Sequence, residues 1–365
     1  MPLINPILRP QVCEGRLTLT TALPVPVSDQ TAKTTVYFTP YLGSRIALFN
    51  GVSWKTVKFA EVSLAVPSTV NRLFDMFVYD NGGVITLEAV SWNQSSGGAD
   101  SITAATAAAQ CQVTDTAHGL SNGNLVFING IVGTLGTDAD NGLNGKLWAV
   151  EAVAANTFEC DGSDTTGLTY TSGGTWYTVP NTRATAITLQ DGVYVQSGAT
   201  NKRYLGTLMT TATSGQCEDS KDKRLVWNYY NRVLREFYKV EDSTSWTYSS
   251  ATIRPMNNST ANRVGFVLGV AEELWWGEAH GKFFTTVDAN GAVHISANNV
   301  ANYITTALPT HSVATAATYE GIREKVQYNP SVGYYALQIV EAGHGSGTQT
   351  FYGENSSGIS GHIFG

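Results

Sequence analysis

The eight residues "AEELWWGE" (271–278) set Glu272, Glu273 and Glu278 around Trp275 and Trp276. Acids beside indoles suit a sugar platform, because the flat ring faces stack on apolar C–H surfaces. Hydrolysis of a glycoside would further need two carboxylates meeting at about 5–9.5 Å, and chain spacing alone fixes no such meeting. A strand end or a subunit contact uses the same residues without chemistry. A second stretch, "KRLVWNYYNRV" (223–233), mixes basic and aromatic side chains. Nucleic-acid binding, sugar contact and a plain strand are the three readings. Alternation puts Leu225, Trp227, Tyr229 and Asn231 on one side and Val226, Asn228, Tyr230 and Arg232 on the other. Tyr230 therefore joins Trp275 and Trp276 as a candidate for glycan or subunit contact. The chain carries a net charge of −7, which argues against a phosphate-neutralising surface and so against nucleic acid as a partner.

The remaining chemistry is sparse. Six histidines occur, none at H-x-x-x-H or H-E-x-x-H spacing, and four cysteines, none in C-x-x-C. No metal site is expected, and the thiols read as buried. "GTDADNG" (136–142) offers Asp138 and Asp140 as calcium-loop oxygens, but position 149, where the bidentate Glu belongs, is Ala149. An Asx-type turn is expected there instead. "GHGSG" (343–347) is no nucleophile elbow and reads as a flexible hairpin loop. There is no Walker loop and no dinucleotide fingerprint. No cofactor and no enzymatic activity are expected.

The elements that must carry these residues are strands. "TTVYFT", "RIALFN", "MFVYD" and "VITLEAVSW" are short, β-branched and aromatic, and are cut by Asn50-Gly51 and Asp80-Asn81-Gly82-Gly83. "RIALFNGVSWKTVKF" predicts a hairpin. A Ser/Gly/Ala-rich stretch at 94–110 reads as a linker into about 70 residues of closely spaced strands and Asn-Gly turns, the pattern of a small closed barrel. Trp92 and Arg183 then look like the two ends of a cut, with the barrel inserted between them. The predicted fold is all-β. An extended docking segment (1–12) precedes a β-rich base domain (13–93 plus 181–240), which is interrupted by the inserted barrel (94–180). A jelly-roll-like C-terminal β-sandwich (241–365) follows. One short helix is expected within "THSVATAATYEGIREKVQY" (310–328). No apolar run reaches membrane-span length, so no membrane insertion is expected. "MPLINPILRP" lacks the features of a signal peptide.

Several of these stretches carry a resemblance. "RLTLTTALPVPVSDQTAKTTVYFTPYLGSRIALFNGVSWKTVKFAEVSLAV", "ATAITLQDGVYVQSGATNKRYLGT", "KRLVWNYYNRV" and "SWTYSSATIRPMNNSTANRVGFVLGVAE" resemble a class of tailed-bacteriophage virion proteins, tail-fibre or virion-associated. The resemblance covers most of 14–93 and 181–275. The inserted segment, "AHGLSNGNLVFINGIVG" with "NGLNGKLWAVEAVAANTFECDG", resembles the small β-barrel of ubiquitin-activating enzymes that recurs in phage tail proteins. The family's proline-rich ending after "NYYNRV" is replaced here by "LREF", which lets this linker pair as strand. The resemblance implies a virion protein made in the bacterial host cytoplasm. It would be a fibre-like homotrimer that contacts other virion proteins (portal, adaptor, tail or capsid) and a host surface glycan. Leu3, Ile4, Pro6, Ile7 and Leu8 would lie extended in a groove of the docking partner. A capsid-decorating, head-fibre or collar protein that binds no receptor is the alternative.

Overall fold

The computed structural model describes residues 10–138, 141–179, 182–287, 289–298, 304, 312–314, 319–328 and 331–365. Their regular elements are strands joined by turns and irregular segments, apart from one helical turn at Thr134–Thr137 and one 3-10 turn at Met256–Asn258 among the described residues. The segment expected to hold a helix is a strand where described. Tyr319–Tyr328 lies antiparallel to Trp275–Thr285 over ten registered pairs. Ile322, Glu324 and Val326 turn inward while Arg323, Lys325 and Gln327 turn outward. That period of two outweighs the helix propensity of Glu, Arg and Lys.

The predicted hairpin forms between Arg45–Phe49 and Trp54–Lys58. Its turn is held by Asn50 Oδ1, which accepts the Val52 and Ser53 N–H groups at 3.0 and 2.8 Å, and Gly51 takes the positive φ of 95°. The base sheet runs in the order Ile187–Gln190, Val193–Gln196, Ala199–Met209, Leu73–Asn81, Val84–Ser91. Trp92 bridges Arg183, and the Asn93 N–H donates to Thr182 O at 3.0 Å, so the chain leaves and re-enters this sheet at adjacent points. Arg183 seals the junction. It pairs with buried Asp75 at 2.6 Å, lies 4.5 Å from the Trp92 ring and donates to Gly269 O.

Between those points, residues 95–178 build a barrel around their own core of Val113, Val126, Trp148, Phe158 and Trp176. Its strands follow the order Thr175–Thr178, Leu125–Asn129, Lys146–Glu151, Thr157–Cys160, Cys111–Thr114, Ala104–Ala105. The Ser/Gly/Ala stretch is no free linker. Gly97 and Ile102 donate to Trp176 O and Gly174 O, both at 3.0 Å, and close the ring of strands. Small residues are needed there, since a side chain at Gly97 would strike Ser101, Trp176 and Asp115.

The C-terminal part is a sandwich. One sheet orders Leu234–Val240, Gly358–Phe364, Trp275–Thr285, Gln349–Tyr352 and Ser245–Thr247, with Tyr319–Tyr328 also on Trp275–Thr285. The other carries Arg263–Leu268, Gly333–Ala342 and Ala289–Ala297. Leu234–Val240 pairs with Gly358–Phe364 over seven residues and so belongs to the sandwich rather than to the base. The second sheet also takes in Gln30–Lys33, Cys217–Asp219 and Lys223–Arg224 from the base, the last in parallel with Arg263–Leu268. A boundary at residue 240 is therefore not what the sheets show, and one hydrophobic core runs from Leu17 and Phe38 through Trp227 to Trp275 and Ile363. "GHGSG" links the two sandwich sheets rather than closing a hairpin, because its flanking strands pair with different neighbours.

Candidate functional site

Trp275–Thr285 is the centre of the outward sheet, and its residues alternate buried and half-buried without a break. Inward go Trp275, Gly277, Ala279, Gly281 and Phe283; outward go Trp276, Glu278, His280, Lys282 and Phe284. The inward glycines let the two sheets approach: a Cβ on Gly281 would lie 2.6 Å from Val293 Cγ2. Register with the neighbouring strands extends the outward residues into rows. Trp276 stands opposite His362 and Gln327, Glu278 opposite Ser360 and Lys325, and Lys282 opposite Tyr352. The resulting face is aromatic and basic. Trp276 stacks on His362 with centroids 5.3 Å apart. Lys282 Nζ sits 4.8 Å from the Tyr319 ring and 5.5 Å from the Tyr352 ring, a cation held between two π faces. Tyr319 is 59% exposed, and Phe364, Leu234 and Tyr238 are exposed along the far rows.

A shallow hollow of about 380 Å³ opens here between His280, Lys282, Tyr319, Arg323, Asn355 and Ser356. Burial, assisted by Arg323 and opposed by Glu278, holds the His280 imidazole below its ordinary value, so it is neutral at neutral pH. Glu278 is shared by Arg323 at 3.6 Å and Lys325 at 3.7 Å. Ring faces, a neutral imidazole, amide and hydroxyl groups, two cations and the Glu320 carboxylate suit a polar, hydroxyl-bearing ligand or the surface of another protein.

The expected site residues separate. Trp276 is on this face. Trp275 is not: it is fully buried against Phe266 and Tyr335, and no glycan or subunit reaches it in this fold. Tyr230 is also turned inward. Its hydroxyl is buried, and its ring lies 4.4 Å from the guanidinium of Arg203. Burial pushes its phenol well above the ordinary value. The strand around it is dry on both sides rather than half wet, with Leu225, Val226, Trp227 and Asn228 all buried. Its basic residues are used locally: Arg224 pairs with Asp219 at 3.1 Å and Lys223 with Glu218 at 3.2 Å. Arg232 meets Glu272 at 3.1 Å and Glu273 at 3.3 Å, so the two stretches that first suggested chemistry grip each other. Asp138 accepts the Asn141 N–H at 2.8 Å, the expected Asx-type turn, while Asp140 lies outside the described residues.

Leu3, Ile4, Pro6, Ile7 and Leu8 also lie outside the described residues. The root of that segment is fixed. Arg203 donates to Pro10 O (2.7 Å), Val12 O (3.0 Å), Ala47 O (2.8 Å) and Gln11 O (3.1 Å), clamping 10–12 to the base. All four cysteines are free and buried, no cluster of metal-ligating side chains occurs among the described residues, and no described helix is long and apolar enough to cross a membrane.

No protein-family model and no curated protein matches the chain. Solved structures with some likeness include the insecticidal delta-endotoxin Cry8Ea1 of Bacillus thuringiensis, with 7% identity, a TM-score of 0.22, and 96% of this chain over 52% of the toxin. The chain thus spans about half the toxin's length. The VP2 subviral particle of infectious bursal disease virus gives 14% identity, a TM-score of 0.25, and 93% of this chain over 75% of that one. A family 43 arabinoxylan arabinofuranohydrolase from Bacillus subtilis gives 13% identity, a TM-score of 0.21, and 93% over 79%. Overlaps this slight place the chain in none of these families.

Proposed function

We propose that the protein is a non-enzymatic structural component of a tailed-bacteriophage virion, a tail-fibre or spike-like part docked through its N-terminal segment and contributing to host attachment. The phage assignment leans on the wording shared by residues 14–93 and 181–275. The observation that carries the attachment role is the unbroken alternation of Trp275–Thr285. It leaves Trp276, His280, Lys282 and Phe284 no inward task and arrays them with Tyr319, Tyr352 and His362 on one face. Weak contacts of this kind gain strength by multivalency, which a homotrimer supplies. Fluorescently labelled protein should bind the phage's host bacterium and delay infection when added first. The double variant Trp276→Ala/Tyr319→Ala should lose most of the binding while keeping the fold. No binding by folded wild-type protein, together with particles that lose integrity when the protein is missing, would instead favour a decorating or collar role.

A further inference from the structure

Cys111 and Cys160 stand directly opposite each other where Cys111–Thr114 and Thr157–Cys160 run antiparallel in the inserted barrel. Opposite residues of an antiparallel pair point to one face of the sheet, with Cα atoms about 4.5–5.5 Å apart. A disulfide spans about 4.4–6.8 Å between Cα atoms. Both thiols are free, and both side chains are wholly buried in the barrel's own core. Each residue is a strand end: Cys111 opens its strand and Cys160 closes the other. Ser163 bridges the two backbones there, since its Oγ accepts the Cys111 N–H at 2.8 Å and donates to Cys160 O at 2.7 Å. The turn at 106–110 leads into Cys111, with Thr106, Ala107 and Ala109 exposed. Buried Thr165 ties that turn down: its Oγ1 donates to Thr106 O at 2.8 Å and its N–H to Ala108 O at 2.9 Å. Burial pushes both thiols up, the Cys160 thiol further, with the nearby Cys111 adding to its rise. Hydrogen bonds with Thr165 and Thr106 hold the Cys111 rise back. Thiol exchange needs a thiolate, so the pair stays reduced until this strand end opens, and Cys111 is the first to react. The other two cysteines have no thiol opposite: Cys13 bridges Ile46, and Cys217 faces Lys33 and Thr210.

We propose that Cys111 and Cys160 are a dithiol that an external disulfide closes into a cross-strand disulfide, clasping the inserted barrel. With oxidised glutathione, the Cys111 thiolate attacks one glutathione sulfur and expels the other as a thiolate. The Cys160 thiolate then attacks the Cys111 sulfur of this mixed disulfide and expels the second glutathione. Two protein sulfurs are oxidised, one glutathione disulfide is reduced to two thiols, and the two protons pass to them through solvent. The full chain is incubated with oxidised glutathione, with and without urea below the unfolding transition. Remaining thiols are then alkylated in denaturant and the peptides mapped by mass spectrometry. A Cys111–Cys160 link within one chain is expected, with Cys13 and Cys217 alkylated, and it should form faster in urea because the strand end must open. The closed clasp ties residues 112–159 into a loop and should raise the thermal midpoint by roughly 5 °C or more. Dithiothreitol should return the wild-type midpoint to its starting value, a readout that needs no variant. Cys160→Ala should show no link and no rise. Two free thiols at these positions after a model dithiol has closed under the same urea conditions, a different cysteine pairing, or a midpoint that closure leaves unchanged overturns the proposal.

Discussion

Replacing Trp275 with alanine would empty a site packed by Phe266 and Tyr335 in the deepest part of the core. The expected loss is about 3–5 kcal/mol. Trp276→Ala removes a half-exposed ring that stacks on His362, and should cost less than about 1 kcal/mol. Denaturant midpoints of the two variants check the assignment of faces, which fails if they agree. Asp161 offers a pH handle on the barrel. Its burial, and then the nearby Glu151, push its carboxyl up to about 6. Folding therefore favours the protonated form. The contribution is fully present below about 4, the ordinary carboxyl range, and is lost as pH rises through about 6. Asp161→Asn should leave stability unchanged at pH 4 and raise it at pH 8 by about 1 kcal/mol, a value discounted for the solvent that still reaches the group. A variant equally stabilised at both pH values would contradict this origin.

At the scale of elements, the alternating strand sets two glycine environments. A Cβ on Gly361 would strike Trp276 O and the Phe237 ring, whereas one on Gly321 meets nothing within 4 Å. Gly361→Ala should cost about 1–3 kcal/mol and Gly321→Ala less than about 0.5 kcal/mol, read from thermal midpoints. The strands and the Asn50-Gly51 hairpin were legible in the sequence because each is a local signal: a short β-branched run and a turn residue with positive φ. The same logic held the signal separating Trp275 from Trp276. Gly277, Ala279 and Phe283 share Trp275's parity, while Glu278, His280 and Lys282 share that of Trp276. What no local signal carries is the register that brings Tyr319 and Tyr352 beside Lys282. Those pairings are set by strand order across some 37 to 70 residues. Burial of Tyr230 was equally hidden, since both of its neighbouring surfaces come from remote segments.

For the whole molecule, the question is how three parts hold together. Arg183 ties the base to the sandwich at the point where the barrel is entered, through Asp75 and Trp92 of the base and Gly269 of the sandwich. Arg183→Met leaves Asp75 as an unpaired buried carboxylate and should cost about 3–5 kcal/mol. A loss below about 1 kcal/mol in a denaturant titration would mean that the junction is held by packing alone. The clamp of Arg203 on residues 10–12 fixes where the N-terminal segment leaves the base, and the aromatic face on the outward sheet gives the surface for contact. In the proposed function the first is the root of the docking segment and the second the contact surface. A cryo-electron microscopy map of the intact phage particle tests this most directly. The account predicts density for the base, barrel and sandwich at a symmetric position on the particle, with residue 10 facing a neighbouring virion protein and the Trp276 face turned to solvent. A map fully explained by other chains, with this protein absent from purified particles, would contradict it.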